Sequence, residues 1–344
     1  MIKEVKSRLL NNKVINAEEF VKECQEINPI FNKKSLSADI SDLKKQNFKI
    51  VSEHDKDGNL FYHYFKKDIN TKLLKPRNFY VNYDETSGLP IFEYLFDEPV
   101  IKVIHMTDLH IEDDESLASA YKLYAMCEER NIYIINGGDN IENSIKDSIG
   151  GHVHSQQYSP QRQYDEYVTL LDKYRHRILA EQDGNHPRRT LKNAGINLMK
   201  MACNEIKIPY VTNRMLAVLK NENSCKKLHS AHKASGGVLK TSKRKGIYYK
   251  TWEQFHADIY FAGHLHDSLV EEDLFYAELE RNKKGTLELI AKPTIALMNP
   301  CLKAYFNSYA DENCYQFPRK KIRYVTIKNN NMAVETLYDD LIVK

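Results

Sequence analysis

Apolar residues in the first part of the chain recur at helical spacing. Ile2, Val5, Leu9 and Leu10 form one stripe. Phe20, Val21, Cys24 and Ile27 form a second within AEEFVKECQEI, with Asn16 placed as N-cap, Glu19 at the capping-box position and Asn28-Pro29 as the stop. Leu36, Ile40 and Leu43 form a third, in SLSADISDLKKQ. The period then changes to two: FKIVSE and LFYHYFKK alternate about Asp57-Gly58 and predict a hairpin. Three helices and a hairpin are therefore expected over residues 1–70. Residues 71–98 carry Lys75-Pro76, Ser87-Gly88 and Leu89-Pro90 and predict a connector with a strand or two. From Pro99 the rhythm is an apolar run (VIKVIHM), an amphipathic stretch (SLASAYKLYAMCEERN) and another apolar run (IYIIN). This βαβ order predicts a layered α/β domain over 99–344. The later segments LFYAELE, ELIAKPTIALM, KKIRYVTIK and MAVETLY are expected to close its second sheet.

Composition narrows the class. A length of 344 residues accommodates two domains, and 42% hydrophobic with 28% charged residues excludes a disordered chain. No run approaches eighteen apolar residues, and the start, MIKEVKSRLLNNK, lacks the apolar block of a secretory signal, so no membrane partner is expected. The six cysteines (Cys24, Cys127, Cys203, Cys225, Cys301, Cys314) include no C-x-x-C pair and are expected as reduced thiols in the cytoplasm. A net charge of only +3 means that nucleic-acid affinity must come from a local patch. Residues 1–75 hold 15 Lys and Arg against 11 Asp and Glu, a modest excess in the right place.

The order of three helices and a hairpin resembles the winged helix-turn-helix domains of bacterial regulators. The resemblance implies a third helix that faces a nucleic-acid groove and a hairpin that serves as the wing. Its candidate contacts are Lys33, Lys34, Ser35, Ser37, Ser41, Lys44 and Lys45. The alternative is a protein-interaction or dimerisation domain with a solvated basic face, which leaves a homo-oligomer open.

Five short polar motifs follow in order, each at the end of an apolar run. They are TDLH (Asp108, His110), GGDN (Asp139), GNH (Asn185, His186), LHSAH (His232) and GHLH (His264, His266). Singly each reads as a turn or loop. Together they set carboxylates, imidazoles and an amide at the C-terminal ends of successive strands, where they can converge on one crevice. Folding alone does not ask for that pattern. The donors are N and O ligands suited to Mn, Fe or Zn, and no cysteine belongs to the set, which excludes a four-cysteine structural zinc.

The order D-x-H, G-D, G-N-H, lone His, G-H-x-H resembles the calcineurin-like metallophosphoesterases, including the nuclease branch that processes DNA double-strand breaks. The segment NPCLKAYFNSYADE resembles the end of phage-type members, which points to the cytoplasm of a bacterial host. The resemblance spans about residues 99–328. It implies a sandwich of two mixed sheets flanked by helices. It also implies two divalent metal ions, Mn favoured, with a bridging hydroxide as nucleophile. Residue by residue, Asp108, His110 and His266 would hold the first metal. Asn185, His232 and His264 would hold the second, and Asp139 would bridge them. His186 would act on the leaving group. The chain departs from the family at Pro187, where an Asp or Glu usually orients that histidine, and at Lys233, where a Gly is usual. Another acceptor must then hold His186; Glu181 and Asp183 are near in sequence. Arg188 and Arg189 could grip a phosphate or simply cap a helix start. Strand alternation puts His229 on the face opposite His232. His152 and His154 could touch substrate or lie in a mobile loop.

The function expected is therefore a dinuclear-metal phosphodiesterase acting on nucleic acid, DNA favoured, with the first domain as a targeting module. Two alternatives stay open. One is a phosphatase or nucleotide phosphodiesterase whose winged helix makes protein contacts. The other is a DNA-binding regulator with an inactive phosphoesterase domain.

Overall fold

The computed structural model describes residues 5, 14–26, 28–45, 50–54, 60–64, 78–83, 90–146, 148, 156–233, 255–266, 268–282, 285–301 and 320–340. The chain divides into two compact units, Met1–Leu73 and Leu74–Lys344.

In the first unit a short strand β1 (Val14–Asn16) leads into α1 (Ala17–Gln25), then α2 (Lys33–Lys45), β2 (Ile50–His54) and β3 (Leu60–Tyr64). Asn16 caps α1 through its side-chain oxygen, which accepts from the backbone N–H of Glu18 at 3.0 Å and Glu19 at 3.4 Å. The strand β1 was not expected from the sequence. It pairs antiparallel with β3, giving a three-stranded sheet in the order β1-β3-β2. Of the first predicted helix only Val5 lies within the described residues, and it is buried. Leu36, Ile40 and Leu43 of α2 pack with Phe20, Cys24 and Tyr62 in this unit's core. Helical periodicity therefore turns Lys34, Ser37 and Ser41 to the opposite, exposed side.

The second unit is a mixed α/β sandwich. Its strands begin with β4 (Asn78–Tyr83) and β5 (Pro90–Leu95), then β6 (Val100–Met106), α3 (Asp114–Glu129), β7 (Tyr133–Asn136), α4 (Pro160–Tyr174) and β8 (Ile178–Gln182). Next come α5 (Arg188–Ala194), α6 (Leu198–Ile206), β9 (Tyr210–Val211), β10 (Arg214–Asn221), β11 (Ser224–Ala231) and β12 (Ile259–Ala262). The described chain ends with β13 (Leu269–Arg281), β14 (Leu287–Met298), β15 (Lys320–Lys328) and β16 (Asn331–Asp340). One sheet has the order β16-β15-β6-β7-β8-β9 and the other β13-β14-β12-β11-β10-β5-β4.

One sequence expectation is corrected here and another segment is placed. Residues 78–83 and 90–95, read within a connector carrying a strand or two, are strands of the seven-stranded sheet: β5 pairs parallel with β10, and β4, at the sheet edge, pairs antiparallel with β5. The strands β15 and β16 do not close the second sheet. They extend the first, with β15 antiparallel to β6. An alternating strand satisfies either sheet equally, so its pattern cannot choose.

Alternation along the strands fills the layers. Ile101, Val103 and Ile135 of one sheet meet Met215, Ile259, Phe261 and Leu297 of the other in the central core. Ile104, Met106 and Ile134 point to the opposite face, where α3, α4 and α6 cover them through Leu123, Tyr124, Leu170 and Cys203. None of the described cysteines is in a disulfide. No helix among the described residues is long and apolar enough to cross a membrane.

Candidate metal centre

Register delivers the motifs to one level. Met106 pairs with Asn136 and Asn136 with Glu181 across the parallel strands β6, β7 and β8, so their C-terminal loops leave the sheet side by side. In the other sheet Ala231 pairs with Ala262, so His232 and the GHLH loop also leave together. Buried Leu109 and Ile111 anchor the TDLH turn in the core. Its backbone is laced to the GGDN turn by Asp108 N–H to Gly138 O (3.0 Å), His110 N–H to Asp139 O (3.1 Å) and Ile111 N–H to Asn140 O (3.0 Å).

Five of the seven candidate ligands sit in left-handed backbone: Asp108 (φ 55°), His110 (47°), Asp139 (52°), His264 (74°) and His266 (50°). Each such non-glycine conformation costs about 1–3 kcal/mol and survives only where surrounding structure imposes it. Clustering at the candidate ligands is what a site built to aim side chains inward requires. Close approach fixes two glycines as well. A Cβ on Gly184 would lie 2.1 Å from Asp139 Oδ1, and one on Gly263 would lie 2.3 Å from Thr107 Oγ1.

The first group is Asp108, His110 and His266. His110 Nε2 and His266 Nε2 face each other at 3.1 Å. Asp108 Oδ1 is 3.4 Å from His266 Nε2 and 3.8 Å from His110 Nε2. That oxygen is buried and has no hydrogen-bond partner, whereas Oδ2 accepts from the His264 N–H at 2.9 Å and the Thr107 hydroxyl at 2.8 Å. A buried carboxylate oxygen left without a hydrogen bond between two imidazole nitrogens is suited to a cation. His110 Nδ1 donates to Glu142 Oε2 at 2.9 Å, which leaves Nε2 as the free donor atom.

The second group is Asp139, Asn185, His232 and His264. His232 Nε2 lies 2.9 Å from Asp139 Oδ2 and 3.0 Å from Asn185 Oδ1, and Nδ1 is fixed by Gly137 O at 2.9 Å. Asp139, His232 and His264 present ligand atoms within 4.8 Å of one another, and so do His110, Asp139 and His186. Asp139 thus reaches toward both groups. Protonation in this group follows its charges. Burial opposes charge on His232, but Asp139 outweighs it and raises the pKa. Burial likewise opposes charge on Asp139, and His232, His186 and His110 hold it at about 2. Burial and the neighbouring His232 push His264 down to about 4, so its lone pair is available. The donor set fits two divalent cations, which would replace those protons.

His186 and its support were only partly foreseen. Neither Glu181 nor Asp183 orients the ring. Nδ1 donates to the main-chain oxygen of Glu142 at 2.8 Å, and the Glu142 carboxylate is 3.3 Å away. Burial opposes charge on Glu142, yet hydrogen bonds from His110 and His186 hold its carboxyl well below the usual range. The backbone N–H of His186 donates to Asp139 Oδ1 at 2.7 Å. Arg189 Nη2 is 3.1 Å from His186 Nε2, and Nη1 donates to Glu142 O at 2.9 Å. Arg188 is committed elsewhere: it donates to Asp183 Oδ2 at 3.0 Å and to Thr212 O and Asn213 Oδ1 at 2.6 Å each. It pins the GNH loop, and its guanidinium is not spare for a phosphate.

Two residues escaped the sequence reading. Glu142 lies three positions beyond Asp139 in GGDNIEN, a carboxylate in a buried polar loop. Cys301 follows an apolar run, as the other motifs do, and its sulfur falls within 4.8 Å of the ligand atoms of His110 and His266. His229 is buried and stacks on Phe255 at 5.7 Å, apart from His232 as alternation required.

In the first unit Lys33, Lys34, Ser37 and Ser41 of α2 are exposed. Lys33 pairs with Glu18. Lys44 and Lys45 end α2, and their side chains lie outside the described residues, as do His152, His154 and the segment 234–254.

No protein-family model and no curated protein matches the chain. Among solved structures it is similar to GAP50, the anchor in the inner membrane complex of Plasmodium, with 8% identity, a TM-score of 0.34 and coverage of 69% of this chain and 84% of that one.

Proposed function

We propose that this chain is a two-metal phosphodiesterase of the calcineurin-like kind that cleaves nucleic acid, DNA in the first place, with residues 1–70 as a winged-helix targeting module. The observation that carries the reading is Asp108 Oδ1, buried and without a hydrogen-bond partner, facing the Nε2 atoms of His110 and His266 while Asp139 draws the second group alongside. Asp108, His110 and His266 would hold one cation, Asn185, His232 and His264 the other, and Asp139 would serve both. When bound, two divalent cations supply Lewis acidity toward a phosphoryl oxygen and acidify a coordinated water.

The chain's own residues supply the rest. His186 delivers a proton to the leaving oxygen through Nε2, the nitrogen 4.0 Å from Asp139 Oδ2. Glu142 fixes the ring through Nδ1 and, as an anion, stabilises the protonated imidazole. Arg189 donates to His186 Nε2 in the resting chain. An arriving phosphate is a stronger acceptor for a guanidinium than an imidazole nitrogen is, so Arg189 shifts to it and frees Nε2 to take a proton from water, which it then passes to the leaving oxygen.

The test is incubation of the purified protein with Mn²⁺ and labelled single- and double-stranded DNA, RNA and bis-p-nitrophenyl phosphate, alongside elemental analysis. Cleavage of DNA and of the small diester is expected. A folded protein that holds no metal, or holds two and cleaves no phosphoester, would overturn the reading.

A further inference from the structure

The segment that follows β14 is tied down tightly. Asn299 is buried, and its side-chain amide donates to His105 O at 3.0 Å and Arg323 O at 2.9 Å while its oxygen accepts from the Arg323 N–H at 2.9 Å. These bonds join the end of β14 to the end of β6 and the start of β15. They set Cys301, two residues further on, over the TDLH turn that β6 feeds. Cys301 is 4% exposed. Its sulfur and the ring nitrogens of His110 and His266 all lie within 4.8 Å of one another. In a tetrahedral set with a cation about 2.3 Å from sulfur and about 2.1 Å from nitrogen, the sulfur and nitrogen stand about 3.6 Å apart, so side-chain movements of up to about 1 Å bring these atoms onto one ion. The fourth corner is Asp108 Oδ1, fully buried, without a hydrogen-bond partner and 3.4 Å from His266 Nε2.

We infer that Cys301 is a thiolate ligand of the first metal, completing an Asp108, His110, His266 and Cys301 set, and that this site takes a thiophilic divalent cation such as Zn²⁺, Fe²⁺ or Co²⁺. The inference rests on the metal-centre reading above. On binding, the thiol proton leaves to solvent and the sulfur lone pair forms the bond. The two sites then differ in kind. The first is a mixed N, O, S site that disfavours hard cations, and the second is an N, O site open to Mn²⁺.

Cobalt(II) titration of the metal-free full chain tests this. The first equivalent is expected to raise a thiolate-to-cobalt charge-transfer band in the near ultraviolet. Cys301→Ser and Cys301→Ala should remove the band and weaken the tighter site for Zn²⁺ by at least the about ten- to hundred-fold that loss of an outer-shell partner costs. If neither variant folds, the cadmium-113 resonance of the wild-type chain reports sulfur coordination directly. Cobalt bound with visible ligand-field bands but no thiolate band overturns the Cys301 assignment and leaves the metal centre standing. A band that persists in Cys301→Ser comes from another cysteine and overturns it equally. Failure to bind cobalt at all removes the metal centre and this inference with it.

Discussion

His186 Nδ1 donates to the main-chain oxygen of Glu142 at 2.8 Å, and the Glu142 carboxylate stands 3.3 Å from the same nitrogen. The other carboxylate oxygen takes the Nδ1 proton of His110 at 2.9 Å. One acid on the GGDN loop thereby holds a proposed metal ligand and the proposed proton donor, in a chain with Pro187 after its GNH motif. Glu142→Gln cannot accept from both rings as an anion. It should lower metal affinity at the first site by about 10–100-fold and depress turnover as well. Calorimetric metal titration with parallel kinetics checks this; an unchanged affinity would confine Glu142 to His186.

His186→Ala should separate catalysis from binding. Loss of a general acid costs about 10²–10⁴-fold in rate with an alkoxide leaving group, and much less with a nitrophenolate, which departs without a proton. Metal content should stay at two per chain. An equal loss of metal would make His186 a ligand, a role its proximity to His110 and Asp139 permits.

Asp139→Asn should empty both sites, because one carboxylate faces both groups. The wild-type affinity should also climb with pH. His110 is raised to about 10, burial opposing its charge and Cys301, Asp108 and Glu142 outweighing it. A cation at neutral pH must displace that proton, so binding strengthens as pH rises toward 10. Metal affinity measured across pH 6 to 9 with no slope would count against His110 as a ligand.

Glu181 is buried, and its titration is expected to act on stability. Burial lifts its pKa from 4.5 to about 8 despite hydrogen bonds from Tyr167 and Asn140. The folded metal-free chain therefore keeps a proton that the unfolded chain releases. Its contribution is complete below about pH 4.5 and disappears as pH rises through 8. Glu181→Gln preserves the shape and removes the titration. The variant should gain on the wild type by up to about 1.4 kcal/mol per pH unit inside that window. Denaturant melts at several pH values read the difference, and a pH-independent gap would refute it.

On α2, Lys34→Ala should flatten the log–log salt dependence of duplex binding by about one unit. Glu18→Gln should steepen it by a similar amount, since it releases Lys33 from its ion pair. Equal slopes for all three proteins would move the first unit from nucleic-acid contact to protein contact.

Apart from β1, the strands and helices that the sequence announced were legible because they depend on local periodicity. Leu36, Ile40 and Leu43 announce the inner face of α2, and VIKVIHM and IYIIN announce buried strands without reference to anything distant. The positions of Asp108, Asp139, Asn185, His232, His264 and His266 just beyond apolar runs were legible for the same reason, since a strand's end is a local event. Pairing was not. The strands β4, β5, β15 and β16 carry the same alternation whichever sheet accepts them, and only the packed layers decided. Nor could the sequence tell that Glu142 would reach His186, that Arg188 would be spent on Asp183, or that Cys301 would arrive beside His266. The first and last of those relationships join loops tens of residues apart, and the second is fixed by Thr212 and Asn213 as well as by Asp183. They depend on the strand register that sets Met106 beside Asn136 and Ala231 beside Ala262, and on left-handed turns at Asp108, His110, Asp139, His264 and His266 that the tertiary hydrogen bonds impose. A local pattern encodes which residues leave the sheet; the free energy that decides what they meet is shared among all the loops at once.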